Sequence, residues 1–359
     1  MSGIFGHLGI NDNERVFTAT VGQQVIWQAA QEYIARVEAE IAAVEAIFIE
    51  KTTSDYKERY KLPGGGHLQR RNSDGRYGTV KAYGKWDVAY PLEDFGAAMG
   101  WNDVDMAYMS VAELSNHIQT VTIQDINTRR YELLCALLDN GQGTFVDPLH
   151  GSLSIEPLAN GDTVLYPPVI GLETEATEDH YLESGYAAAS ITDVNNPFPT
   201  IVNELEHHFG TPQGGSNVIV FINNAQTALV SALTNFYEAD QADVAYGVAT
   251  DRVTGLPAGM PGRVIGKCDG AWIAEWRNFP ALYMFGINMD APKPVIKRVD
   301  PADTGLAEGL ALVTENEAFP FKESFFRHRF GLGVGNRLNG VSFELGVGGT
   351  YSIPSGFDH

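Results

Sequence analysis

From Tyr131 to Asp251 the chain runs for 121 residues without one Lys or Arg, while carrying 17 Asp and Glu. Such a stretch is a strongly anionic unit. It repels nucleic acid, and it repels copies of itself unless something offsets its charge. The flanks differ: residues 1–130 hold 13 Lys and Arg against 17 acids, and residues 252–359 hold 11 against 11. In the first flank the cations crowd together. Lys51, Lys57, Arg59, Lys61, Arg70, Arg71, Arg76, Lys81 and Lys85 are nine of the 24 in the chain, and only Asp55, Glu58 and Asp74 lie among them. Read alone, a charge run is a solvated loop. Read beside the anionic segment, it is a cationic arm able to dock on an anionic surface, and in a homo-oligomer one sequence supplies both.

The remaining composition sets the class. At 359 residues with 44% apolar and 19% charged side chains, the chain is globular and can bury a sizeable core. A net charge of −21 argues against a protein whose main task is gripping phosphates. No apolar run reaches the roughly 18 residues a membrane span needs. Met1 to Gly9 lacks the basic start and apolar run of a signal peptide. Two cysteines, Cys135 and Cys268, are too few for a disulfide framework or a zinc site and read as buried free thiols.

Periodicity then gives an order of parts. Val21 to Lys51 carries Ile26, Ala30, Tyr33, Ile34, Val37, Ile41, Val44 and Phe48 at helical spacing and predicts one long helix. Thr52 to Pro91 predicts a two-stranded excursion turning at Ser73-Asp74-Gly75-Arg76, with little apolar surface to fold back on its own core. Ser110-Val-Ala-Glu113 is a capping box, and it opens a second long helix that stops at Asn140-Gly141. Beyond it, short strands are expected at Thr144–Val146, Ser152–Ile155 and Thr163–Tyr166. Loops are expected at Pro197–Thr200 and Gly210–Ser216, a buried strand at Asn217–Ile222 and a helix over Ala225–Tyr237. Val264–Ile273 and Ala281–Ile287 read as further strands. The closing stretch reads as a long strand from Phe319, broken at Gly331-Leu-Gly-Val-Gly335, then strands at Val341–Leu345 and Thr350–Ile353.

Catalytic signatures are sparse. There is no His-Glu-x-x-His, no Gly-x-Ser-x-Gly and no Gly-Lys-Ser/Thr phosphate loop. Gly331-x-Gly333-x-Gly335 lacks the third spacing of a dinucleotide fingerprint and reads as close backbone packing. Glu204, Glu206, His207 and His208 offer metal-ligand chemistry, and an acidic metal-dependent hydrolase is the alternative they support. Adjacent histidines point to different faces, however, and a surface helix end is the simpler expectation. Glu173, Glu175, Glu178, Asp179 and Glu183 lack the spacing of a calcium loop. No cofactor and no metal are implied. Trp86, Trp101, Trp272 and Trp276 read as packing residues.

The succession of long helix, basic arm, Val88-Ala-Tyr-Pro91-Leu-Glu-Asp94-Phe-Gly96, second long helix, mixed insertion and Phe325-Phe-Arg-His-Arg-Phe330-Gly-Leu-Gly-Val334 resembles a tailed-phage major capsid protein of the Hong Kong 97 type. The resemblance implies an α+β fold in five parts. These are the N-terminal arm and helix over 1–50, an extended E-loop over 51–96, a P-domain with its spine helix over 97–141, an A-domain over 142–318, and closing P-domain strands over 319–359. It implies no catalysis. Copies form hexamers and pentamers of an icosahedral virion shell around double-stranded DNA, assembled in a host cytoplasm with scaffold, portal and decoration proteins as partners and no membrane. An encapsulin-like compartment of the same fold, holding an enzyme, is the nearest alternative.

On this reading Arg70, Arg71, Arg76, Lys81 and Lys85 make inter-subunit contacts. Lys81 or Lys85 with Asn336 or Asn339 are the candidates for the isopeptide link that some relatives form. The roughly 20 residues before the first helix are too few for the scaffolding segment of other relatives, so a separate scaffold or prior cleavage is expected.

Overall fold

The structure, a computed structural model, describes residues 23–62, 85–102, 108–209 without 171 and 173, 217–238, 261–318 and 321–358, with isolated positions at 68, 70, 71, 73–75 and 105. In chain order it begins with helix α1 (Gln23–Glu45), strand β1 (Ile49–Thr53), the hairpin strands β2 (Lys57–Lys61) and β3 (Lys85–Ala89), β4 (Glu93–Asn102) and the long helix α2 (Val111–Leu138). A hairpin of β5 (Gly143–Asp147) and β6 (Gly151–Ile155) follows, then β7 (Tyr181–Glu183), α3 (Phe198–Phe209), β8 (Val218–Ile222), the single turn α4 (Thr227–Val230) and β9 (Phe236–Glu238). The rest is strand: β10 (Arg263–Cys268), β11 (Ala271–Glu275), β12 (Tyr283–Asn288), β13 (Val295–Arg298), β14 (Ala311–Ala318), β15 (Phe321–Val334) and β16 (Val341–Glu344).

Among the described residues two large sheets take twelve of these strands, and β2-β3 and β5-β6 are separate two-stranded ladders. One large sheet has five strands in the order β1-β13-β15-β14 with β4 also on β15; the other has seven in the order β7-β16-β12-β8-β11-β10-β9. Strand order departs from chain order. β13 and β14 lie in the five-stranded sheet, while β16, from the end of the chain, lies in the seven-stranded one. Neither sheet therefore follows the sequence segments 142–318 and 319–359.

Helix α2 lies against both sheets. Its Leu133, Leu134, Leu137 and Leu138 join Phe221, Phe285, Phe330, Leu332, Ile47 and Phe48 in one buried cluster. The capping box is complete: Ser110 accepts from the Glu113 amide, and Glu113 accepts from the Ser110 amide at 2.8 Å. The helix ends at Asp139 in extended geometry, φ −78 and ψ 120, so the stop needs no left-handed residue at Gly141; the Asp139 carboxylate accepts from the Gly141 amide instead.

Strand β8 shows why Val218–Ile222 is apolar at every position. Ile219 and Phe221 face α2, while Val218, Val220 and Ile222 pack under α3 with Phe198, Ile201 and Leu205. Alternate residues serve opposite faces, and both faces are covered. Each such side chain contributes about 1.5–3 kcal/mol of burial free energy.

Several expectations are corrected. The first helix ends at Glu45, not Lys51: the amides of Ile47 and Phe48 donate three residues back, to the Val44 and Glu45 carbonyls, and this tightened turn buries both side chains in the core and leads the chain into β1, parallel to β13. Pro197–Thr200 is the start of α3, because Asn196 accepts from the Phe198 amide at 3.0 Å and Pro fits a first helical turn. Ala225–Tyr237 is one turn of helix and a strand. The side chains of Asn223 and Asp193 take the Ala225 and Thr234 amides, and turns win over helix. Val264–Ile273 is two strands joined at Asp269-Gly270, both with positive φ. Thr163–Tyr166 forms only one bridge, Tyr166 to Ala176, and Thr350–Ile353 forms no strand.

The glycine run does not break β15, which continues to Val334. A side chain at Gly331 would run into the Pro91 carbonyl, and one at Gly333 would come within 2.8 Å of Tyr90. Close packing, as expected, is what these glycines permit. The expected loop at Gly210–Ser216 lies outside the described residues. Cys135 and Cys268 are free and buried.

Candidate functional site

Two places carry chemistry: the root of the basic arm and a histidine–carboxylate cluster on the anionic segment. The arm root is the antiparallel ladder of β2 and β3, which pairs Lys57 with Ala89 and Lys61 with Lys85. Along β2, Lys57, Arg59 and Lys61 face solvent while Glu58 and Tyr60 are half-buried, the alternation a strand imposes. Asp87 neutralises part of this face: Arg59 bonds it at 2.7 Å and Lys57 lies at 3.4 Å. Those two cations, Arg59 foremost, hold the Asp87 carboxyl down to about 2. Lys51 pairs with Glu58 at 2.7 Å.

One expectation for the arm needs correction. Its root does have apolar surface and spends it on its own chain. Leu62, Trp86, Val88 and Tyr90 are buried with Tyr166, Ile296 and Leu338, and Trp86 donates its indole N–H to the Gly335 carbonyl at 3.0 Å. Farther out, Arg70 and Arg71 are exposed, and Arg71 Nε donates to the Gly75 carbonyl at 3.1 Å across the Ser73–Gly75 turn. Arg76 and Lys81 lie outside the described residues, as does the side chain of Lys85. Asn336 and Asn339 are fully buried, with their amides donating to the Pro292 carbonyl at 2.6 and 2.8 Å, so both are engaged in holding a loop.

The second place overturns the surface-helix expectation for Glu204, His207 and His208. Helix α3 turns about 100° per residue, so positions three and four beyond Glu204 fall on either side of its own line. Both imidazoles therefore flank the same carboxylate row, and their ring centroids are 4.3 Å apart. The strand-like segment leading to β7 supplies Glu178 and His180, two residues apart and so on one face. Backbone bonds hold that segment on both sides: His180 N donates to the Ala159 carbonyl at 2.8 Å, and Ser342 N donates to the His180 carbonyl at 2.9 Å. His207 Nε2 lies 3.8 Å from Glu204 and 3.7 Å from Glu178; His180 Nε2 lies 3.8 Å from Glu204; His208 Nε2 lies 3.5 Å from Glu178. Glu206 stays outside this cluster.

The electrostatics are unusual. Among the described residues no Lys or Arg pairs with Glu178 or Glu204. Burial, then Glu178 and Asp179, pushes the Glu204 carboxyl up to about 7. Burial pushes Glu178 up as well. The same burial lowers the imidazoles, His180 to about 4 and His208 to about 3, so both stand neutral. Sequence reasoning saw the α3 side of this cluster and missed His180. The available signal was Glu178-x-His180 at strand spacing inside a segment that has no fixed cation.

No protein-family model and no curated protein matches the chain. Solved structures do. A chain from Mycobacterium phage Patience matches at TM-score 0.65 and 20% identity, over 96% of this chain and 93% of that one. A chain of the bacteriophage PhiM1 mature capsid matches at TM-score 0.48 and 12% identity, over 82% and 85%. A virus-like particle from Pyrococcus furiosus matches at TM-score 0.39 and 10% identity, over 87% and 100%. The first of these runs almost end to end on both chains, and with the sheets and the long helix α2 described above it shows that this chain has the mixed α+β fold of the Hong Kong 97 capsid type.

Proposed function

We propose that the chain is the major structural subunit of an icosahedral phage shell. The observation that carries this reading is the end-to-end likeness to the Patience phage chain. The separation of charge within one sequence supports it: a cationic arm, and a 121-residue segment with no Lys or Arg to answer it. In this reading residues 51–96 form the E-loop lying over a neighbouring subunit, and α2 is the spine of the peripheral domain. Copies meet as hexamers and pentamers. An anionic subunit encloses double-stranded DNA by confinement, without gripping its phosphates. Scaffold, portal and decoration proteins are its partners, and the virion is its place. No described helix is long and apolar enough to cross a membrane.

Arg70, Arg71 and Arg76 provide the test. In the proposal they, with Lys81 and Lys85, meet the anionic segment of the next copy. Changing the three arginines to Glu should abolish or sharply reduce particle formation while leaving the far-ultraviolet circular dichroism of the chain unchanged. Normal particles from the triple variant would refute the arm contact. Nuclease-resistant DNA in wild-type particles is the expected cargo; a co-purifying enzyme without DNA would favour a compartment of the encapsulin kind.

A further inference from the structure

The geometry points to a structural divalent-cation site, of the Zn²⁺ class, formed by His180 Nε2, His207 Nε2 and a Glu204 carboxylate oxygen. The three ligand atoms lie within 4.8 Å of one another, and each nitrogen is 3.8 Å from the shared Glu204 oxygen. A tetrahedral zinc ion with bonds of about 2.0–2.1 Å holds its ligand atoms about 3.4 Å apart. Each nitrogen–oxygen gap exceeds that by about 0.4 Å and the nitrogen–nitrogen gap by no more than about 1.4 Å, within reach of side-chain rotation. The two rings stand edge to face, 67° apart with centroids at 6.4 Å, an arrangement compatible with two imidazoles on one ion.

The second observation is independent of the clustering. His180 is fully buried, and its Nδ1 donates to the Gly340 carbonyl at 2.8 Å. A carbonyl only accepts, so the ring proton sits on Nδ1 and the lone pair on Nε2. That Nε2 is buried, has no hydrogen-bond partner and is aimed at Glu204. His207 is hydrogen-bonded to the Asn203 backbone and likewise keeps a buried Nε2 without such a partner. Metal-bound histidines have this construction: the second nitrogen is tied to a carbonyl, which fixes tautomer and ring direction. An apolar core would not leave two such nitrogens facing a carboxylate, since buried polar atoms are ordinarily satisfied. His180, its proton held on Nδ1 by the Gly340 carbonyl, presents Nε2 in the form a metal needs, and a cation answers the Glu204 carboxylate that no Lys or Arg among the described residues answers.

Soft-to-borderline nitrogen ligands with one carboxylate favour Zn²⁺ over Ca²⁺ or Mg²⁺. The ion would tie α3 to the segment before β7 and, through Gly340, to the loop entering β16. That is a brace across the seven-stranded sheet. Glu178, 3.7 Å from His207, borders the site and is the nearest protein candidate for a fourth ligand.

The test uses the full chain, stripped with a chelator and then given micromolar ZnCl₂. One Zn²⁺ per chain should bind and raise the melting temperature by at least about 2 °C. Co²⁺ in its place should show the visible bands of a tetrahedral site. His207→Gln and Glu204→Gln should each weaken Zn²⁺ binding about 100-fold or more, beyond the 10–100-fold typical of losing an outer-shell partner. Both sit on the partly exposed helix α3, so they test the site even where His180→Gln does not fold. Absence of stoichiometric Zn²⁺ binding would overturn the assignment. So would binding that survives Glu204→Gln but is lost with His208→Gln, because the ion would then sit between Glu178, His207 and His208.

Discussion

Two polar clusters in this molecule set the same acidic side chains in opposite surroundings. Beside α2, Arg129 bonds Glu38 at 2.8 Å and Glu45 at 2.6 Å, and Lys297 reaches Glu45 at 3.3 Å. Beside α3, the ion-pair partners of Glu178 and Glu204 among the described residues are imidazoles, at 3.5–3.8 Å. Burial pushes the Glu45 carboxyl up, yet Arg129 and Lys297 outweigh it and hold that carboxyl below its ordinary range. Nothing outweighs burial at Glu204. The difference follows from sequence. Glu45, Arg129 and Lys297 lie outside the segment that lacks Lys and Arg, and the α3 cluster lies inside it. A segment without fixed cations borrows them where it can: Arg298 bonds Asp147 and Arg337 bonds Asp162, at 2.8 and 2.7 Å. Where none reaches, a buried carboxylate either keeps its proton or recruits a cation from solution.

The sharpest way to break this contrast is Arg129→Met. It leaves Glu45 buried with only Lys297, and removing one partner of a buried pair costs about 3–5 kcal/mol. Urea unfolding should show a loss of that size, and a loss under about 1 kcal/mol would put the two clusters on one footing. Next is a matched pair of isosteric changes in chelator. Glu45→Gln should cost about 1–3 kcal/mol, because a charged hydrogen-bond partner is lost. Glu204→Gln should cost less than about 1 kcal/mol, because near neutral pH the amide replaces a carboxyl that already holds its proton much of the time. Equal costs would contradict the account.

A smaller effect separates the clusters by pH. His180 and His208 are neutral in the fold down to about 4 and 3, against an ordinary value of 6.5. The unfolded chain therefore binds their protons first, and the stability they contribute is lost as pH falls below 6.5. Glu204 runs the other way: held up to about 7 from an ordinary 4.5, it costs stability as pH rises between those values. Between about pH 4.5 and 6.5 the imidazoles, His207 among them, make the metal-free chain more stable as pH rises, while Glu204 and the carboxyls of Glu178 and Asp179, also raised by burial, oppose them. His208→Gln should flatten the dependence of melting temperature over that window; an unchanged slope would mean that His208 titrates normally. The smallest effect on folding belongs to the arm, where Arg70 and Arg71 are exposed. Their reversal to Glu should leave the urea midpoint unaltered, whereas wild-type assembly should weaken with salt as charges about 8–10 Å apart are screened.

Much of the architecture was legible because local chemistry agreed with tertiary packing. Ser110 and Glu113 announced α2, and the run Val218–Ile222 announced a strand covered on both sides. The turn at Asp74-Gly75 was readable from its residues; Gly75 has φ +83. What failed to show was structure imposed by a distant partner. Glu93-Asp-Phe-Gly-Ala-Ala-Met-Gly-Trp-Asn102 has little strand character of its own, yet it pairs residue for residue with β15 from Phe321 to Phe330. In the same way the His180 site joins residues 24 positions apart, and its hydrogen-bonding support comes from Gly340. Spacing within α3 alone suggested divergent histidines, and only the packed strand beside the helix shows them converging on shared carboxylates.

The central claim is that this chain completes its surface on copies of itself. Negative-stain electron microscopy of the purified full-length chain at high concentration tests it most directly. The account predicts closed, uniform shells or the hexameric and pentameric rings that build them. A homogeneous field of compact single molecules under assembly conditions, with sedimentation at the monomer mass, would contradict it.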